Sequence, residues 1–181
     1  MDRTFALASS FNQPIGDWNV FEVRTMANMF HRASSFNQPL GQWKVSKVES
    51  MWDMFDGAYS FNRPIGDWAV SKVEIMREIF RRTSSLNQPI GGWDVSRVKS
   101  IYQMFASAVS FNQPMGDWNV SSLRSFHGLS AMQRMFQGAS SFSQNSVLGD
   151  LACPCLWVRL KFLECLTVPP LLVPFATTAI K

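Results

Sequence analysis

Cysteine is missing from the first 152 residues of this 181-residue chain: Cys153, Cys155 and Cys165 all lie near its C-terminal end. No disulfide framework can therefore staple the bulk of the chain, which must be held by burial of its own side chains. Histidine is almost as scarce. Neither His31 nor His127 has a cysteine or an acid at metal-ligand spacing, so both read as surface residues and no metal ligand is assigned. Cys153 and Cys155 flank a single proline without a second ligand pair, which is not the spacing of a zinc or redox motif. The chain has no phosphate-binding Gly-x-x-x-x-Gly-Lys and no Gly-x-Ser-x-Gly nucleophile turn. No catalytic residue and no cofactor are expected, and the chain reads as non-enzymatic.

Charge of one sign is also thin. Seventeen basic and thirteen acidic residues leave a net charge of +4, and the two signs are interleaved rather than gathered in a stripe. Specific nucleic-acid binding is not expected from such a distribution. The longest apolar run, Cys165 to Ile180, is 16 residues long and carries Pro169, Pro170 and Pro174. A membrane-spanning helix needs about 20.

What the chain has in quantity is repetition. The block Ala8 to Val20, reading Ala-Ser-Ser-Phe-Asn-Gln-Pro-Ile-Gly-Asp-Trp-Asn-Val, recurs every 25 residues, and Trp18, Trp43, Trp68, Trp93 and Trp118 mark the interval. Such a period is the signature of stacked supersecondary units. Full copies begin at Phe5, Phe30, Phe55, Phe80 and Phe105, and a partial sixth begins at Phe136. The fifth copy is longer by six residues, placed at 126–131. Residues 1–144 are read as the repeat domain and 145–181 as a separate hydrophobic tail. Met1 occupies the repeat position of Met26 and Met51, so the chain opens inside a copy, as a fragment or a truncated gene model would.

Within one copy the apolar positions are Trp43, Val45, Val48, Met51, Met54, Phe55, Ala58, Phe61 and Ile65, mostly three apart. The pattern predicts a short strand over residues 45–50, about two turns of helix over 51–58 and a loop from Ser60 to Gly66. The expected class is α/β: a solenoid with one short parallel strand and one short helix per coil. The column Asn12, Asn37, Asn62, Asn87 and Asn112 is expected to satisfy backbone groups between coils. Asp17, Asp67 and Asp117, one per coil, read as turn residues rather than an acid–base pair.

The Met-x-x-Met-Phe segments at 26–30 and 51–55, the Ser-Phe-Asn-Gln-Pro loop and Gly-Asp-Trp-Asn-Val-Ser at 116–121 resemble the BspA-like leucine-rich repeat surface proteins. They are similar, more narrowly, to the 25-residue repeats of mycoplasma surface proteins. The resemblance covers residues 1 to about 144. It implies a right-handed α/β solenoid in a secreted or cell-surface setting and binding of other proteins, with no catalytic residues.

Specificity in a repeat array resides where copies differ on the surface. One such column reads Ala27, Trp52, Arg77 and Tyr102, and aromatics with arginine are favoured interface anchors. Trp52, Arg77 and Tyr102, flanked by Glu49, Glu74 and Arg97, are therefore the candidate contact surface for a protein partner. The competing reading makes Trp52 and Tyr102 mere covers of the core edge, and the array a structural spacer with no specific ligand. A basic end is expected at Arg97, Lys99 and Arg124, and Arg81 with Arg82 forms a second basic group able to attract a polyanion. The tail is open to three readings: a cap over the last coil, a poor membrane anchor, or out-of-frame sequence.

Overall fold

Alternate backbone N–H groups in each copy reach across to the next copy instead of along their own. In the computed structural model, which describes residues 1–115, 118–124 and 131–143, Met51, Asp53, Phe55 and Gly57 donate to the carbonyls of Ile75, Arg77, Ile79 and Arg81 at 2.8–3.2 Å. The residues between them turn back on their own copy: Met54 N–H bonds to Met51 C=O, Asp56 to Asp53 and Ala58 to Phe55. The result is a stack of 25-residue coils, each made of consecutive four-residue turns.

This arrangement overturns the expected α/β class. No helix and no extended strand forms among the described residues. Residues 51–58, expected to be helical, contain Asp53 at φ 54° and Gly57 at φ 71°. A left-handed residue in the third position is what a type II turn requires, and it ends a right-handed helix at once. The same two positions are left-handed in every coil, through Arg3, Asn28, Glu78, Gln103 and Arg134 in one column and Leu7, Arg32, Arg82, Ser107 and Gly138 in the other. The expected strand at 45–50 is folded by a turn bond from Val48 N–H to Val45 C=O. Only single parallel bridges remain of it, joining Thr25, Ser50, Ile75 and Ser100.

The turns explain why apolar residues come three apart. Turn bonds join Leu40 to Trp43, Val45 to Val48, Met51 to Met54, Phe55 to Ala58, Ala58 to Phe61 and Ile65 to Trp68. Their first and fourth residues are the apolar ones, and nearly all are fully buried. Stacked coils then superpose like on like. Phe30, Phe55, Phe80 and Phe105 stack at 5.4–5.8 Å between ring centres. Trp43, Trp68 and Trp93 stack at 6.5 Å, and each indole N–H donates to a carbonyl of the preceding coil, Trp68 to Leu40 at 3.0 Å and Trp93 to Ile65 at 3.1 Å.

The asparagine column runs along the stack as a ladder. Asn12, Asn37, Asn62 and Asn87 each accept the N–H of the asparagine 25 residues on at 2.9–3.1 Å. These side chains are partly exposed, not buried. At the fifth step Asn112 accepts from Ser143, 31 residues on, so six more residues separate these two partners than separate the others. Of the insertion, 126–130 lie outside the described residues, while Ala131 is buried and accepts from Ile101 N–H at 2.8 Å. The tail 145–181 also lies outside them, with all three cysteines, and so does His127. Among the described residues no helix is long and apolar enough to cross a membrane.

Glycine is needed where the Pro carbonyl of the following coil presses on the Gly-Asp-Trp turn. A Cβ on Gly91 would stand 2.6 Å from the Pro114 carbonyl oxygen, whereas one on Gly92 would meet nothing within 4 Å. Gly91→Ala should therefore cost about 1–3 kcal/mol by overpacking, while Gly92→Ala should leave the melting temperature unchanged or higher. Equal melting of the two variants would refute this account of the coil contact.

Candidate functional site

The structure brings three of the candidate residues into one ladder. Trp52, Arg77 and Tyr102 are the second residues of equivalent turns in successive coils, so the stacking places them one above another. The Arg77 guanidinium lies 5.3 Å from the centre of the Trp52 ring and 5.6 Å from that of Tyr102. Both distances are within the reach of cation–π attraction. Arg77 also reaches Glu78 at 3.3 Å, and Trp52 remains 39% exposed. The ladder is thus a partly exposed aromatic–cation–aromatic surface ordered by its own contacts. Ile75, also 39% exposed, lies on the same coil two residues before Arg77.

The flanking acids are engaged with neighbours along the stack. Glu49 pairs with Arg24 at 2.8 Å and Glu74 with Lys99 at 2.5 Å. Lys99 is therefore neutralised, and the basic end expected at Arg97, Lys99 and Arg124 is weaker than its sequence suggests. Arg97 is exposed on the Val95–Val98 turn, in the column of Glu22, Lys47 and Lys72. The ion pairs of Glu49 and Glu74 go to Arg24 and Lys99 and not to Arg97.

A second constellation, beside the ladder, was not visible from local spacing. His31, Asp56 and Arg81 occupy the same position of three successive coils, and the side chain of Asp56 is fully buried. Its two oxygens accept from Arg81 Nε and Nη2 at 3.2 and 2.9 Å, and from Arg82 Nε and Nη2 at 3.0 and 2.8 Å. Arg81 Nη1 completes the network on Glu78 at 2.6 Å. The pair expected to attract a polyanion is spent on this internal carboxylate. His31, expected on the surface, is half-buried with Nδ1 3.3 Å from Asp56 Oδ2.

Burial and charge drive these groups in opposite directions. Asp53 is buried, and that burial, reinforced by the neighbouring Glu78 and Asp56 carboxylates, pushes it up to about 7. Burial acts on Asp56 in the same sense, but hydrogen bonds from Arg82 and Arg81 outweigh it and hold the carboxyl below its ordinary value. Burial likewise lowers His31 against the pull of Asp56. Chemically the cluster is a pinned anion between two guanidinium forks, with one further carboxyl that is half-protonated near neutrality.

Neither curated proteins nor solved structures yield a match to this chain. A family model described as "Mycoplasma protein of unknown function, DUF285" matches twice, over residues 1–76 and 63–150. The two matches overlap and together take in every coil of the stack. The chain belongs to that family of repeat-bearing proteins.

Proposed function

We propose that the chain is a non-enzymatic scaffold that binds another protein through the Trp52–Arg77–Tyr102 ladder. The observation that carries this reading is the ladder itself. Two aromatics and an arginine, the residue types that dominate interface hot spots, are already ordered at the surface, so little side-chain entropy remains to be lost on binding. Ile75 and the Glu49 and Glu74 ion pairs supply an apolar neighbour and a polar surround. The likeness to BspA-like surface repeats, whose strand and helix per coil are not found in the described residues, adds a cell-surface or secreted setting.

Capture of protein partners by the immobilised full chain, compared with the Trp52→Ala/Tyr102→Ala double variant, tests the reading. The double variant should lose partner affinity by roughly a hundredfold or more, as removal of two hot-spot side chains does. Its melting temperature should fall by no more than a few degrees, because the cation–π contacts contribute only about 0.5–1 kcal/mol each. A specific partner retained equally by both proteins would move the contact elsewhere. Capture of nothing at micromolar concentration would leave the array a structural spacer.

A further inference from the structure

We propose that His31, Asp53 and Asp56 form a binding site for one divalent transition-metal cation of the zinc type, clamping two neighbouring coils together. A ring nitrogen of His31 and one carboxylate oxygen from each aspartate lie within 4.8 Å of one another. Two features set this group apart from an ordinary buried ion pair. Asp53 is 8% exposed, yet its Oδ1 has no hydrogen-bond partner. His31 Nδ1 is buried and likewise unbonded. Unsatisfied buried polar atoms are rare because each costs the solvation it has given up, and two of them in one cluster point to a missing partner.

The geometry fits a metal better than a proton. His31 Nδ1 stands 3.3 Å from Asp56 Oδ2, in a direction that makes no hydrogen bond. Two ligands each 2.0–2.1 Å from a tetrahedral metal are separated by about 3.3–3.4 Å. Asp53 would close the third corner, and water entering beside the His31 side chain, 20% exposed, the fourth. One nitrogen with two carboxylates suits zinc, cobalt or manganese, while calcium and magnesium call for more oxygens.

Asp56 already accepts four guanidinium hydrogen bonds, which fill its lone-pair sites. A metal on Oδ2 must therefore displace one fork. Arg82 is the fork to leave, since its side chain is 35% exposed against 28% for Arg81 and can turn into solvent. A metal and Arg82 thus compete for one carboxylate, and binding should tighten when Arg82 is removed.

The experiment uses the full chain carrying Cys153→Ser, Cys155→Ser and Cys165→Ser, so that tail thiolates cannot supply ligands. Zn2+ in excess should raise the melting temperature by mass action on the folded state, reversibly on chelation, and Mg2+ should not. Co2+ should give the intense visible absorption of a tetrahedral site. His31→Ala and Asp53→Asn should each weaken binding by roughly tenfold or more, the scale set by loss of groups at a metal, and Arg82→Ala should strengthen it. No Zn2+ shift, or His31→Ala binding as tightly as the parent, would overturn the site. Should His31→Ala fail to fold, a hexaaqua-like Co2+ spectrum from the folded parent would overturn it equally.

Discussion

Trp68→Ala is expected to destabilise the protein by about 3–5 kcal/mol, the range for deleting a large buried aromatic. Trp68 is 3% exposed, stacks between Trp43 and Trp93 at 6.5 Å, and donates its indole N–H to the Leu40 carbonyl at 3.0 Å. The deletion removes apolar contact on both sides and one of the two hydrogen bonds that the Leu40 carbonyl accepts, the other coming from Trp43 N–H. Trp68→Phe separates the two contributions, because it keeps a ring but loses the donor, and should cost about 0.5–1.5 kcal/mol for the lost hydrogen bond, the Leu40 carbonyl keeping its bond from Trp43 N–H. The array offers its own control. Trp18 occupies the same repeat position in the first coil but is 42% exposed, so Trp18→Ala should cost much less. Denaturant unfolding of the three variants by circular dichroism gives the comparison. Equal losses at Trp18 and Trp68 would sink the view that coil-to-coil stacking supplies the stability.

Asp53→Asn should do the opposite and stabilise the protein, in a pH-dependent way. The folded-state pKa of Asp53 is raised from 3.8 to about 7, so the folded protein holds a proton that the unfolded chain has released. Below the unfolded value both states are protonated and Asp53 carries no penalty. Between that value and about 7 stability falls as pH rises, and above it the loss levels off, at about 4 kcal/mol with one unit worth 1.36 kcal/mol. Asparagine cannot ionise, so the variant should melt like the parent in acid and well above it at alkaline pH. Asp56, three residues away, works in the reverse sense. Its pKa is lowered, so its contribution is present above the unfolded value and disappears as pH falls through the folded one. Melting of parent and Asp53→Asn across pH decides the matter, and a gain independent of pH would show that the carboxyl is not the cause.

The legible and illegible parts of this protein divide at identifiable residues. The period, the copy boundaries and the buried positions could be read directly, since Trp43, Met51, Phe55 and Phe61 recur at intervals that only stacking explains. Secondary structure could not. A three-residue apolar spacing suits several backbones, and the deciding feature is a left-handed residue at the third position of two turns per coil. Asp53, Glu78 and Gln103 adopt it without being glycine, at a cost of about 1–2 kcal/mol each that the inter-coil hydrogen bonds offset. Sequence alone gives no sign of such a residue.

The ladder of Trp52, Arg77 and Tyr102 could be found by stacking the copies and reading down a column, and the column of His31, Asp56 and Arg81 was open to the same procedure. It was missed because metal and ion-pair partners are sought at local spacings, whereas in a stack of coils the nearest neighbour of a side chain is 25 residues away. The sequence by itself determined the repeat, its inward-facing residues and the polar ladder between coils, because those follow from one unit having to fit a copy of itself. Only the tertiary structure decided that the coil is built of turns, that Arg81 and Arg82 face inward, and that His31 meets two aspartates. Each of these rests on backbone direction and desolvation, which depend on the adjoining coil and not on neighbours along the chain.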